Sequence, residues 1–236
     1  MPHGMPHNAV LLKNFSYICP IRLMSKKVTI VVPIYNSSAF MENLLEAIDE
    51  QRLLSAWDLE LVLVDDGSKD NSWNVIEGFA KEFEEIKGIQ FNRNYGKSAA
   101  LNVGFKETNA DVVITMDADL QDSPDEIPEL YQMVTQGGFQ LVSGWKKKRH
   151  DPLGKTIPSR FFNLITRLLS GIKIHDFNCG LKAYKNVVVK NVEVSGEMHR
   201  YIPVLAKNAG FNKIGEKIVQ HQSPVSRPAK SIHHRI

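Results

Sequence analysis

The sequence predicts an α/β fold, a single domain built on a mostly parallel central sheet flanked by helices. Three observations carry this. From Val28 to Gly144, short β-branched apolar runs alternate with amphipathic stretches, the pattern of repeated βαβ units. A chain of 236 residues suits one large domain of this class, which commonly runs to roughly 200–250 residues. The unusual polar residues gather where the apolar runs end, and that is the edge at which open α/β sheets bind ligands.

Residues 1–26 are expected to form a poorly ordered leader. Ala9–Met24 is its most apolar part, but Lys13, Asn14 and Arg22 interrupt it and no small-residue cleavage site follows. An internal start at Met24 and an interfacial anchor are the alternatives. The chain contains no run of about 18 apolar residues, so neither a signal peptide nor a membrane-spanning helix is expected. The domain is expected over 27–222, dividing at residue 144, with 223–236 as a tail rich in scattered bases.

Within the domain the expected strands are Val28–Ile34, Leu59–Val64, Ile89–Asn92, Val112–Met116 and Gln140–Ser143. Between them, Phe40, Leu44, Ala47 and Ile48 share one helical face, as do Ile76, Phe79, Ala80 and Phe83. Pro124 and Pro128 flank a helix running through Tyr131. After Gly144 come a basic loop, Lys146–Arg149, an apolar helix around Arg160–Leu169, and the segment His175–Tyr184.

Composition narrows the function classes. At 43% hydrophobic and 23% charged, the chain is neither disordered nor fibrous. A net charge of +3 and a pI near 8.7 are too mild for a dedicated nucleic-acid binder, so no nucleic acid is expected. Cys19 and Cys179 lie far apart without metal-ligand spacing, which suits a reducing cytoplasmic setting.

The chemistry lies at the strand ends. Asp117-Ala118-Asp119 follows the apolar run Val112–Met116, and alternation puts both carboxylates on one side if the chain stays extended. A hard divalent ion would relieve their repulsion and hold a diphosphate, with Gln121 or Asp122 as a further ligand; a solvated turn is the plain alternative. Asp65-Asp66-Gly67-Ser68 repeats the arrangement, and a carboxylate there suits nucleobase N–H groups or a ribose hydroxyl; the plain alternative is a helix N-cap turn, with Gly67 and Ser68 supplying turn and cap. Pro33, Tyr35 and Asn36 end the first strand with a ring and an amide fit for a base. Arg93–Lys97 sets two cations beside Gly96 near a helix start, where phosphate can bind.

Together these residues resemble the family-2 glycosyltransferases: Val-Pro-Ile-Tyr-Asn at 32–36, Val-Asp-Asp-Gly-Ser at 64–68, Arg-Asn-Tyr-Gly-Lys-Ser-Ala-Ala-Leu-Asn at 93–102 and Asp-Ala-Asp-Leu-Gln-Asp at 117–122. The last is similar to the branch that includes dolichol-phosphate mannose synthase. Ser143–Lys146, Pro158–Asn163, His175–Tyr184 and Gly196–Pro203 resemble the bacterial polyprenyl-phosphate glucosyltransferase subgroup.

The resemblance implies a GT-A fold and a hexosyltransferase that moves a sugar, glucose by the subgroup, from a nucleotide diphosphate to polyprenyl phosphate with inversion. The implied donors are UDP-glucose first and GDP-mannose second, with Mg²⁺ or Mn²⁺ held by Asp117, Asp119 and Gln121. It gives 27–144 the nucleotide sugar, through Pro33, Tyr35, Asn36, Asp65, Asp66, Lys97, Asp117 and Ala118, and 145–222 the acceptor. Lys146, Arg149, Arg160 and Asn178 would receive the acceptor phosphate, while Asp119, Asp176, Glu197 and Arg160 would form the catalytic set. His199 is expected to be structural. The expected place is the cytoplasmic membrane face, with Lys146–Arg149 touching anionic headgroups.

Two departures stand out. Lys146 replaces an arginine common in relatives, which keeps the charge and loses the bidentate fork. Gln220-His221-Gln222 runs into Ser223–Arg227 where relatives continue to membrane helices, so an altered or shortened C-terminus is expected. A transferase acting on a polysaccharide or protein hydroxyl, and an inactive nucleotide-sugar binder, remain the alternatives.

Overall fold

The computed structural model describes residues 27–147 and 153–221, with only the backbone described for 153–158 and 160. The expected leader, the tail and Arg149 therefore lie outside the described residues. Seven strands form one sheet: β1 (Lys27–Ile34), β2 (Asp58–Asp65), β3 (Ile86–Gln90), β4 (Val112–Thr115), β5 (Leu141–Trp145), β6 (Lys182–Lys185) and β7 (Ile214–Ile218). Their order is β3-β2-β1-β4-β6-β5-β7, and every pairing is parallel except those of β6, which runs antiparallel to both β4 and β5. Helices α1 (Ser38–Ser55), α2 (Ser72–Glu82), α3 (Lys97–Glu107), α4 (Ile127–Thr135), α5 (Leu153–Ser170), α6 (Asn186–Lys190) and α7 (Ile202–Asn208) connect them.

The first strand explains the layering. Val28, Ile30, Val32 and Ile34 pack to one side with Met41, Leu44 and Ile48 of α1, Ile76 of α2, and Ile127, Leu130 and Val134 of α4. Val31 packs to the other with Leu101 and Phe105 of α3, Tyr184 of β6, and Ile202 and Ala206 of α7. A strand covered on both faces must be apolar at nearly every position, which is why β1 and β2 are legible as continuous runs.

Two parts of the sheet differ from expectation. The strand expected at Ile89–Asn92 is β3, which begins three residues earlier and pairs Leu61 with Ile86. It is an edge strand whose Lys87 and Gln90 are exposed, so its apolar signal is thin. Gly88 gives it close contact with α2, since a Cβ there would stand 2.7 Å from Ile76. The strands β6 and β7 had no expected counterpart, because lysines at both ends of β6 and the polar Ile-Gly-Glu-Lys-Ile of β7 mask the period.

The strand order fixes where a ligand can sit. From β1 the chain steps to β2 and β3 on one side, then returns to place β4 on the other. The order in which strands are added reverses between the parallel neighbours β1 and β4, and a crevice opens outside their C-terminal ends at that point.

Candidate active site

That crevice is a cleft of about 360 Å³. Pro33, Tyr35, Asp66, Lys97, Asp117, Ala118 and Asp119, all expected site residues, line it together with Ile34, Ser37, Asn94 and Gly96. Tyr35 is exposed.

Backbone clips build the β1–β2 side. Asn36 takes a left-handed φ of 49°, accepts the Lys69 N–H at 2.8 Å, and donates its own N–H to Ser68 Oγ at 2.9 Å. Asp70 accepts from the Ser38 and Ser72 N–H groups, each at 3.0 Å, and from the Ser72 hydroxyl at 2.6 Å. Asp65 is fully buried and its carboxylate accepts the Ser68 N–H, closing the turn that follows β2. Its neighbour Asp66 takes the Tyr95 and Gly96 N–H groups at 2.7 and 2.9 Å, holding the loop before α3 against the β2 end. Gly67 permits this approach: its φ is +67°, and a Cβ would lie 2.4 Å from the Arg93 carbonyl carbon.

The β4 side carries the acids. Asp117 is ion-paired with Lys97 from the first turn of α3. Burial pushes the Asp117 carboxyl up, but Lys97, aided by Lys146 and Lys182, holds it below the ordinary carboxylate value. Burial raises Asp119; the Gln121 N–H that it accepts at 3.1 Å opposes this, and the Asp117 charge adds to it. Leu120, at a left-handed φ of 56°, makes the turn between them. Gly180 underlies the pair, because a Cβ there would stand 2.4 Å from an Asp117 oxygen. Thr115 fixes that approach by donating to the Gly180 carbonyl at 2.8 Å.

The residues expected to receive the acceptor form a second, more internal group. Lys146 is turned inward, its ammonium 2.9 Å from the fully buried Asp122. Burial works to discharge Lys146, yet the Asp122 carboxylate outweighs it and holds the ammonium above its usual range. This differs from the expected headgroup contact, and the reason is local: a carboxylate without water requires a counter-ion. Asp176 is buried, accepting the Asn178 N–H at 3.0 Å and the Lys146 N–H at 3.4 Å. The Asn178 amide donates to Ser159 Oγ at 2.9 Å, tying this loop to α5. Arg160 lies on α5, its side chain outside the described residues. Glu197 is exposed at the start of the turn Met198–Tyr201.

Three contributors lie outside the expected catalytic and binding set, and of these His199 is the one expected to be structural. Lys182, buried in β6, donates to the Cys179 carbonyl, and burial lowers its basicity. His199 meets Ser98 of α3 at 3.1 Å through Nδ1 and 3.0 Å through its backbone N–H, so its structural part is to tie the 196–203 segment to the cleft's helix. Gly180 is the third. The only sequence signal for any of them is membership of the motif segments 175–184 and 196–203.

The family model described as Glycosyl transferase family 2 matches residues 29–192, more than half of the chain. The chain belongs to glycosyl transferase family 2. An undecaprenyl-phosphate 4-deoxy-4-formamido-L-arabinose transferase of Shewanella sediminis (strain HAW-EB3) is 38% identical over 206 residues, 85% of this chain and 60% of that protein. A dodecaprenyl-phosphate galacturonate synthase of Rhizobium johnstonii is 33% identical over 204 residues, with the same coverage of 85% and 60%. This family-2 chain thus spans about 60% of the length of these curated relatives.

Among solved structures, Mycobacterium tuberculosis glucosyl-3-phosphoglycerate synthase with UDP superposes at a TM-score of 0.65 and 20% identity, over 86% of this chain and 74% of that one. The same enzyme with Mn²⁺, UDP-glucose and phosphoglyceric acid gives 0.63 at 19% identity, over 86% and 73%. At these identities the likeness establishes the shared GT-A fold of a family-2 glycosyltransferase. Among the described residues no helix is long and apolar enough to cross a membrane.

Proposed function

We propose that this chain transfers a hexose from a nucleoside diphosphate to a polyprenyl phosphate, with inversion, at the cytoplasmic membrane face. The observation that carries it is the cleft between β1 and β4, which joins a nucleotide-fitting rim to the Lys97–Asp117–Asp119 group. In this reading Pro33, Tyr35 and Asp66 meet the base and ribose, Asn36 and Asp65 support that rim from beneath, and Lys97 and Ala118 flank the diphosphate. The two curated relatives named above differ in sugar and share a polyprenyl phosphate in their names, which supports the acceptor class and leaves the sugar open. UDP-glucose is the first donor to try, then GDP-mannose.

The acids fit a divalent cation. The proposed donor set is Asp117 and Asp119, which line the cleft together and whose charges act on each other, with the Gln121 amide oxygen as the expected third ligand; among the described residues no three His, Cys, Asp or Glu side chains form a ready-made cluster. All are hard oxygen ligands suited to Mg²⁺ or Mn²⁺. Bound there, the ion would neutralise charge on the departing diphosphate. Lys97 is poised to exchange its Asp117 partner for phosphate oxygens.

On the acceptor side, a phosphate oxygen attacks the anomeric carbon as the bond to the nucleoside diphosphate breaks on the opposite face. An acceptor phosphate is already ionised near neutral pH, so positioning and charge stabilisation carry the reaction without a strong base. Arg160, Arg149 and Asn178 are the proposed acceptor contacts, with Lys146 contributing field from its pair with Asp122. Asp176 and Glu197 shape the sugar side, the former by holding the 176–178 turn.

Incubation with a panel of nucleotide sugars and short polyprenyl phosphates, with Mn²⁺ or with chelator, tests the reading. Metal-dependent lipid-linked product is expected. Product confined to hydroxyl acceptors, or donor binding with no transfer to any acceptor, would overturn it.

A further inference from the structure

Two of the motif segments, 93–102 and 196–203, meet on one face of α3. Ser98 and Asn102 stand four positions apart, so both side chains project from the same side of that helix. Each accepts a backbone N–H from the crossing chain: Ser98 Oγ takes the His199 N–H at 3.0 Å, and Asn102 Oδ1 takes the Val194 N–H at 3.2 Å. Because Ser98 Oγ is the acceptor there, its own hydrogen remains to meet His199 Nδ1 at 3.1 Å. Between these two clips lies a tip, Ser195, Gly196, Glu197 and Met198, exposed at every position. Gly196 turns it at a left-handed φ of 54°.

The clips are not what brings this chain to the helix. Val194 and Ile202 are already buried with Leu101 and Phe105 of α3, and that apolar contact is enough to dock the segment. Apolar contact has no direction, so it leaves the rotation of the tip unset, whereas a hydrogen bond at each end fixes it. Ser98 also follows Lys97, the cation that pairs with Asp117 and lines the cleft. The tip therefore hangs from the helical turn that carries the cleft's cation, and His199 at its base lies within reach of the Lys97 charge.

We infer that Ser98 and Asn102 are positioning residues of the transfer: from one face of α3 they seat the 195–198 tip so that Glu197 borders the cleft beside Lys97. This rests on the reading above, in which Glu197 shapes the sugar side. A carboxylate on an exposed tip takes its place only through the tip's two ends. A displacement of about 1 Å at such a group is enough to cost up to about a hundredfold in rate.

Amide exchange and steady-state kinetics on the full chain test this, with Asn102→Ala, Ser98→Ala and the conservative Asn102→Asp, whose carboxylate still accepts the Val194 N–H. In the alanine variants, exchange across 194–199 is expected to quicken roughly fivefold, the scale of one net hydrogen bond. Transfer from UDP-glucose to a short polyprenyl phosphate should lose about tenfold or more in kcat, while KM for the donor and the affinity for UDP with Mn²⁺ stay within about twofold. Asn102→Asp should restore both exchange and kcat. Ser98 is buried and Asn102 only partly so, and the Asn102 variants keep the test valid if Ser98→Ala disturbs folding. Unchanged exchange, quickened exchange with unchanged kcat, or a loss of UDP affinity equal to the loss in kcat would each overturn the inference. Failure of the reading it rests on looks different. If wild type makes no lipid-linked product from UDP-glucose or GDP-mannose, the acceptor reading falls, and calorimetry with UDP-glucose against UDP decides the seat. A variant that weakens the sugar nucleotide and spares UDP upholds it, and one that changes neither, or both alike, sinks it. If wild type makes product and the alanine variants match it, the seat falls and the acceptor reading stands.

Discussion

The two halves of the domain use charge in opposite ways. In residues 27–144 the acids at the β4 end stay at the cleft, where Asp117 pairs with Lys97, while Asp65 and Asp66 are occupied by backbone N–H groups. Beyond β5, charge turns inward, with Lys146 against Asp122 and Lys182 against a carbonyl, and the outward helix is apolar. The contrast separates residues the fold can lose from residues it cannot. A group at a strand end is held by its backbone, whereas a buried ion holds the backbone that surrounds it.

The sharpest way to break this contrast is to remove one ion of each kind. Lys146→Ala leaves Asp122 buried without its counter-ion, and should cost about 3–5 kcal/mol of stability by urea denaturation. Asp119→Ala should leave the melting temperature nearly unchanged. Calorimetry with nucleoside diphosphate and Mn²⁺ should show its metal-dependent binding abolished, and transfer should fall on the order of 10²–10³-fold. If the lysine variant is stable, or the aspartate variant unfolds, the assignment of the halves is reversed.

Gly180→Ala probes the seam between them. The added methyl meets the Asp117 carboxylate, so a stability loss of about 1–3 kcal/mol is expected together with a weakened metal response. An active, fully stable variant would mean that the carboxylate is free to move aside.

The smallest effect concerns acid. Burial, with Lys97 and Arg200 nearby, depresses His199 to about 4 from an ordinary 6.5. The unfolded chain therefore binds the proton first as pH drops, so stability is complete above 6.5 and declines as pH falls from 6.5 toward 4. Denaturation midpoints at pH 7 and pH 5 should differ less in His199→Asn than in wild type; an equal slope would assign the loss to other groups.

The sequence reveals most where one residue type has one job. Strands β1, β2 and β4 are legible because both their faces are covered, and the cleft because polar residues interrupt those runs at one rim. Asp65 and Asp66 are legible only as a pair, since both are buried and the backbone N–H groups each one holds lie on loops that the motif alone does not place. Lys146 looks like the start of a solvated basic run because its partner, Asp122, is 24 positions away on another loop. Helix α5 carries an apolar stripe visible in the sequence, but such a stripe ordinarily faces the core, and its outward turn becomes visible only once Asn163 and Thr166 are found inside. The β3 boundary and β7 are hidden by polar positions at the two edges of the sheet, and the interior strand β6 by its shortness and by the lysine at each end, of which Lys182 is buried.

The antiparallel strand β6 has a consequence for how the protein can be taken apart. It is wedged between β4 and β5, although it follows both in sequence. A chain cut after Lys147 would leave an N-terminal fragment holding β4 and β5 with a strand-wide slot between them and two unsatisfied edges facing it. The complementary fragment would carry the missing strand and Gly180 with nothing to pair against. Separately expressed, the pieces should aggregate; co-expressed, they should reassemble around β6 and recover donor binding, so the pair would serve as a split reporter whose signal depends on closing the sheet beside Asp117.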